Sequence, residues 1–289
     1  MRVELVRTVT RDGLRLDGAL AEPSAATSDR ARGTAAILLH GVGGNFYGSS
    51  TLEPLVPALQ RLGIAALLVN TRGHDAVFSA SLGVQRRRFG AAYETVDDCR
   101  HDLAAWIQHL AVRGHQRIAL IGHSLGAIKA VYAQASEKSP LVATVVAISG
   151  PRLSYAAYVN APESAVFFES FDTARRMVEA GQGEELFTSK FPFPLLITAA
   201  GFIDKYGPAE RYNLLRFAAE LPCPALFTYG GKELAHGGIP FAGLPEALLA
   251  LPNADRRQVE IIDGADHFYT GTGAELVACV SRWLAAFAG

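Results

Sequence analysis

The stretch "ALIGHSLGAIKAVYAQ", Ala119 to Gln134, changes character in its middle. An apolar run stops at Gly122, a lone polar Ser124 stands between Gly122 and Gly126, and a pattern of helical period starts from there. The five letters Gly122-His123-Ser124-Leu125-Gly126 form G-x-S-x-G, a common string whose setting carries more information than its letters. A buried strand that turns directly into a helix forces the central residue toward a strained backbone conformation. Glycines two positions either side leave room for the chain to fold past itself. Ser124 is then expected to project its hydroxyl from the carboxyl edge of a sheet, beside a helix N-terminus. A serine that merely caps its helix is the competing reading; the two glycines and the companion residues below favour a nucleophile.

Working outward, compact apolar runs recur at 35–40 (AAILLH), 64–70 (IAALLVN), 117–122 (RIALIG), 142–149 (VATVVAIS), 224–230 (PALFTYG) and 258–263 (QVEIID). Runs of this length suit strands buried on both faces. Between them, Leu52, Leu55, Val56, Leu59 and Leu62, and then Val96, Cys99, Leu103, Ile107 and Leu110, fall at helical spacing. Ahead of all of these, two alternating stretches flank Asp12-Gly13, a strong hairpin signal, and residues 22–33 read as a surface loop. The expected fold is α/β: a mostly parallel sheet of about eight strands, covered by helices on both faces.

One interval breaks this rhythm. About seventy residues separate the runs ending near Ser149 and starting near Pro224, and they hold twelve of the chain's 26 aromatic residues. A single crossover needs far fewer. Core is therefore expected over 1–150 and 222–289, with an aromatic-rich lid inserted at 151–221. Phe167 and Phe191 of that lid, with Phe46 and Tyr47, are the expected substrate-binding residues.

The 289 residues are 49% hydrophobic and 19% charged, which excludes disordered and collagen-like classes. A formal net charge of −1 supplies no general field for nucleic acid or anionic membrane, so the expected partner is a small-molecule substrate. The basic run Arg86-Arg87-Arg88 reads as solvated surface in a loop before a helix. Three widely spaced cysteines, Cys99, Cys223 and Cys279, suit reduced thiols, and no CxxC or histidine cluster suggests a metal. With no signal-like segment and no apolar run of about 18 residues, a cytoplasmic chain without cofactor or metal is expected.

A serine nucleophile needs a base within hydrogen-bond reach. His267 follows the last buried run in "GADH" and so lies past a strand's carboxyl end, on the same edge as Ser124. His40 and His74 also follow strands but precede the nucleophile in sequence; His40 reads as a brace for its own loop. The base in turn needs a carboxylate to hold one tautomer. Glu233, just after PALFTYG, occupies that edge one strand earlier, with Asp204 and Asp266 as rivals. Donors for an oxyanion are expected from the Leu125 N–H at the helix start and from the glycine-rich loop His40-Gly41-Val42-Gly43-Gly44, where Val42 is the first choice and Gly43 the second.

These residues together resemble the α/β-hydrolase superfamily over nearly the whole chain. The resemblance rests on "HG" at 40–41, "NTRGHD" at 70–75, the elbow GHSLG, a lid between the sixth and seventh sheet strands, and GADH, in the order serine, acid, histidine. It implies a serine hydrolase acting on a carboxylic ester or thioester, with the NTRGHD loop lining the site and His74 and Asp75 in reach of substrate; a structural turn is an equally good reading of that loop. Glu233 stands where aspartate is usual, which leaves the acid open. Serine at the elbow disfavours the dehalogenase and epoxide hydrolase branches, which need aspartate there. Acyl transfer, carbon–carbon bond hydrolysis, perhydrolysis and slow-turnover ligand sensing remain alternatives on the same residues.

Overall fold

The computed structural model describes residues 2–23, 31–162 and 164–288. Most of the surface loop expected at 22–33 lies outside them. Eight strands form one sheet: β1 (Glu4–Val9), β2 (Arg15–Ala21), β3 (Thr34–Leu39), β4 (Ala65–Val69), β7 (Arg117–His123), β8 (Val142–Ile148), β11 (Ala225–Gly230) and β12 (Arg257–Ile262). Their spatial order is β1-β2-β4-β3-β7-β8-β11-β12. The first two strands form an antiparallel hairpin around Asp12-Gly13, and β2 meets β4 antiparallel. Every later pairing is parallel. All carboxyl ends from β3 onward therefore share one edge, which is where open α/β sheets gather reactive groups.

The continuous apolar runs feed two cores. In β3, Ala35, Ile37 and Leu39 face one side, while Ala36 and Leu38 face the other. The first side packs against α2 (Cys99–Val112) and α3 (Leu125–Glu137); the second packs against α1 (Leu55–Arg61) and α10 (Gly273–Ala288). Leu52 is buried in the second core as its spacing suggests, but the α-helix itself begins only at Leu55. No helix among the described residues is long and apolar enough to cross a membrane.

Two details depart from the sequence reading. Arg86, Arg87 and Arg88 sit on a strand, not in a loop: β5 (Phe78–Leu82) and β6 (Gln85–Phe89) pair as an exposed two-stranded ribbon. The polar outer row hid that ribbon from a hydrophobic pattern search. The segment between β8 and β11 is also more than helical. It holds α4 (Tyr155–Val159), α5 (Ala165–Glu179), the antiparallel pair β9 (Leu186–Ser189) and β10 (Leu195–Thr198), α6 (Ala199–Tyr206) and α7 (Leu214–Glu220). Phe167, Phe171 and Ala174 on α5 recur at spacings of four and three and face inward. They meet Tyr158, Phe191 and Tyr206 in a ring-on-ring cluster. Aromatic contacts of this kind bind the segment between β8 and β11 together and join it to the core on the α2 and α3 side of the sheet.

Candidate active site

Ser124 occupies the corner between β7 and α3 with φ 56° and ψ −121°, a conformation L-residues rarely adopt. The flanking glycines are sterically required: a Cβ on Gly122 would lie 2.1 Å from the Gly126 carbonyl oxygen, and one on Gly126 would lie 2.2 Å from that of Leu39. The Ser124 N–H donates to the Ile148 carbonyl at 2.9 Å, tying the corner to the neighbouring strand.

His267 arrives from the loop after β12 and places Nε2 3.0 Å from Ser124 Oγ. Its Nδ1 contacts Glu233 Oε1. Glu233 stands in the first turn of α8 (Gly231–His236), directly beyond β11, and is 4% exposed. Its second oxygen, Oε2, accepts from the Ser149 hydroxyl at 2.7 Å and from the Gly230 N–H at 3.2 Å. Ser149 is fully buried at the end of β8 with φ 50°, and the Tyr269 hydroxyl lies 3.2 Å from it. With its carboxylate so engaged, His267 carries its proton on Nδ1 and presents a bare Nε2 to the serine hydroxyl, the tautomer a general base needs.

The rival carboxylates are committed elsewhere. Asp204 pairs with Arg211 at 2.7 Å and accepts from the Tyr212 hydroxyl. Asp266 accepts from the N–H groups of Phe268 and Thr270, which fold the histidine loop into its turn. His123 contributes to the same loop, donating from Nε2 to the His267 carbonyl at 2.8 Å. Burial, and then the nearby His267, push the His123 pKa down to about 4.

The loop after β3 closes over the serine, and a Cβ on Gly41 would come within 3.2 Å of the Ser124 Cβ. Val42 and Leu125 both face the cavity beside Ser124 and His267. Among the described residues, neither of their N–H groups has an intramolecular acceptor, so both are free to meet a developing negative charge. His40 braces this loop: Nδ1 bonds the Gly41 carbonyl at 2.7 Å, and Nε2 accepts from the Thr71 N–H at 3.2 Å. Burial above all, with Lys129 adding to it, pushes the His40 pKa down to about 3 and keeps the ring neutral.

The NTRGHD segment, expected to line the site, instead stands behind it. Asn70 accepts from the Phe46 N–H, Arg72 is clamped by Asp102 and Asp12, and Asp75 holds Asn45. These contacts fasten the loop after β3 from below, and none of residues 70–75 reaches the cavities at Ser124.

Two cavities meet at Ser124 and His267. One, mostly apolar and about 200 Å³, is walled by Leu153, Tyr158, Phe193, Tyr206 and Phe241. The other is bounded by Asn45, Ser49, Ser50 and Thr51 together with His123 and Phe268. Phe193 lies on both. The four aromatic residues expected to bind substrate are on neither. Phe167 and Phe191 are buried inside the aromatic cluster, Phe46 packs toward the core on the α1 side, and Tyr47 points to solvent. Which ring faces the cavity is set by how separate elements pack: Tyr158 and Tyr206 stand on α4 and α6, and Phe191 and Phe193 in the turn between β9 and β10. Tyr158, Phe193, Tyr206 and Phe241 are therefore additions from the structure. Among the described residues no group of three or more His, Cys, Asp or Glu side chains could hold a metal ion, and the three cysteines are buried and unpaired.

A model described as "Alpha/beta hydrolase family" matches residues 36–279 of the chain. No curated protein matches it in sequence. Among solved structures, Est1E from Butyrivibrio proteoclasticus is similar with a TM-score of 0.64 at 15% identity, over 97% of either chain. The esterase domain of a Rhodothermus marinus protein gives 0.62 at 18% identity, over 100% of both. The Pyrococcus furiosus esterase Pf2001 gives 0.58 at 19% identity, over 100% of this chain and 94% of its own. At such identities the likeness is one of fold.

Proposed function

The chain belongs to the alpha/beta hydrolase family, and on that premise we propose that it is a serine hydrolase cleaving carboxylic esters or thioesters of small hydrophobic or aromatic molecules. The observation that carries this reading is the continuous contact from Ser124 Oγ through His267 to Glu233, opening on an apolar cavity. Ser124 Oγ attacks the substrate carbonyl carbon while its proton passes to His267 Nε2. The carbonyl oxygen, now an anion, is met by the N–H groups of Val42 and Leu125. Glu233 stabilises the imidazolium, which returns the proton to the departing alcohol or thiol as the carbon–oxygen or carbon–sulfur bond breaks. Water then attacks the acyl-enzyme, gives a proton to His267, and frees the acid and the serine.

The segment 151–221 acts in this reading as a lid between the two core parts, 1–150 and 222–289. A cavity of about 150 Å³ can hold benzene; the one at Ser124, at about 200 Å³, suits one ring or an acyl chain of similar bulk. The second cavity suits the other half of the ester. Three unpaired cysteines fit a reducing compartment, and we assign the enzyme to the cytoplasm.

A fluorophosphonate probe followed by peptide mapping tests the nucleophile, with steady-state turnover of p-nitrophenyl esters of graded acyl length alongside. Labelling confined to Ser124, absent in Ser124→Ala, with sustained turnover lost in that variant, is the expected result. Labelling of Ser124→Ala at the wild-type rate would sink the assignment. A single burst of product without turnover would make the protein a sensor instead.

A further inference from the structure

Lys205, in the last turn of α6, lines the apolar cavity together with Tyr158 and Tyr206. It is 2% exposed. Its Nζ has no hydrogen-bond partner, and among the described residues no carboxylate lies within ion-pair distance of it. The carboxylate acting on it most strongly is Glu94, which is itself buried: Lys129 Nζ sits 2.5 Å from Glu94 Oε1 and donates to Thr71 Oγ1 at 2.9 Å, while Glu94 Oε2 has no hydrogen-bond partner. Two ammonium groups thus share one carboxylate behind the cavity wall, and the surplus cation is Lys205.

An unpaired buried ammonium costs several kcal/mol, and an apolar residue of equal length would avoid that cost at no loss of packing. On α6, Phe202 and Tyr206 are aromatic and buried, and the adjacent Asp204 is paired with Arg211 at 2.7 Å. Burial draws its pKa below the ordinary lysine value, against the pull of Glu94. The ammonium itself is enclosed, while the side chain borders the cavity that also holds Ser124 and His267, the space from which a ligand can supply the missing counter-charge.

We propose that Lys205 anchors a carboxylate on the substrate, so that the esters this site takes carry an anionic end separated from the scissile carbonyl by an apolar stretch. This deepens, and rests on, the ester-hydrolase reading. The carboxylate can belong to the acyl half or to the alcohol half; the chemistry at Lys205 is the same.

The test compares wild type and Lys205→Met on p-nitrophenyl half-esters of succinic, glutaric, adipic and suberic acids against p-nitrophenyl esters of equal chain length lacking the carboxylate. A second arm compares 4-acetoxybenzoate with phenyl acetate, which moves the charge to the alcohol. In at least one arm, wild type is expected to favour the charged ester in kcat/KM by about tenfold or more, a preference carried by KM and lost in Lys205→Met. An equal charged-to-neutral ratio in both proteins across both arms overturns the proposal and leaves Lys205 as a distant partner of Glu94. Calorimetric binding of adipate to Ser124→Ala, with and without Lys205→Gln, reads the anchor independently of turnover. Binding that is lost with the lysine supports it even if no ester is hydrolysed, and binding indifferent to the lysine refutes it even if Lys205→Met fails to fold.

Discussion

Ser149→Ala isolates the support of Glu233 from its chemistry. The Ser149 hydroxyl donates to Glu233 Oε2 at 2.7 Å in a fully buried setting, and its removal leaves that oxygen with the Gly230 N–H at 3.2 Å alone. Serine and alanine both carry a Cβ, so the strain of φ 50° is common to the two and cancels. Tyr269 keeps Thr228 as a partner at 3.0 Å and adds no new orphan. What remains is one hydrogen bond to a buried ionised acceptor, worth about 1.5–3 kcal/mol. For a chain of this size each kcal/mol moves Tm by roughly 2–4 °C, so the variant should melt about 3–12 °C lower. If about 1.4 kcal/mol of that is felt where the imidazolium forms, kcat falls about tenfold. Calorimetric melting and p-nitrophenyl acetate turnover at pH 8 read the two effects. A lowered Tm with unchanged kcat would show that the hydroxyl only fills the core, and wild-type values of both would refute the hydrogen bond itself.

Glu233→Gln should reduce kcat by about three orders of magnitude or more by favouring the wrong imidazole tautomer, whereas Asp204→Asn and Asp266→Asn should retain most activity; the reverse pattern in ester turnover would move the acid elsewhere. Phe167→Ala, at the centre of the inserted segment's aromatic cluster, should cost about 3–5 kcal/mol of stability, seen as a fall in Tm. Phe193→Ala, half-exposed on both cavities, should instead shift acyl-length preference with little change in Tm; equal selectivity profiles would show that Phe193 contacts no substrate. His40 and His123 are held neutral, with pKa values of about 3 and about 4 against an ordinary 6.5. Their stabilisation is therefore full above about pH 6.5 and lost as pH falls toward those values. At pH 5 each should have cost about 2 kcal/mol, so Tm between pH 8 and pH 5 should drop by about 10 °C, and a flat profile would count against both.

Much of this architecture was legible in the chain alone, for local reasons. A strand buried on both faces is apolar throughout, so β3, β4, β7, β8 and β11 each stand out within about a residue of their observed limits; β12, at the sheet edge with Gln258 and Ile261 exposed, falls within the same margin without that burial. The elbow announces itself because only glycine fits 2.1–2.2 Å from a neighbouring carbonyl oxygen, at Gly122 and Gly126. Parallel strands share a carboxyl edge, which is why residues as far apart as Ser124, Glu233 and His267 could be expected together before any coordinates. What the sequence could not decide were orientations and partnerships that arise only when separate elements meet. Phe167 and Phe193 are alike in composition and segment, yet α5 carries the first into the core and the turn between β9 and β10 leaves the second on the cavity at Ser124. NTRGHD carries polar side chains suited to a binding loop, but Asp12, Asn45 and Asp102, from three distant segments, turn them into a brace. Nothing in the sequence around Lys205 marks it out, and only the tertiary structure shows that it and Lys129 share one buried carboxylate, Glu94.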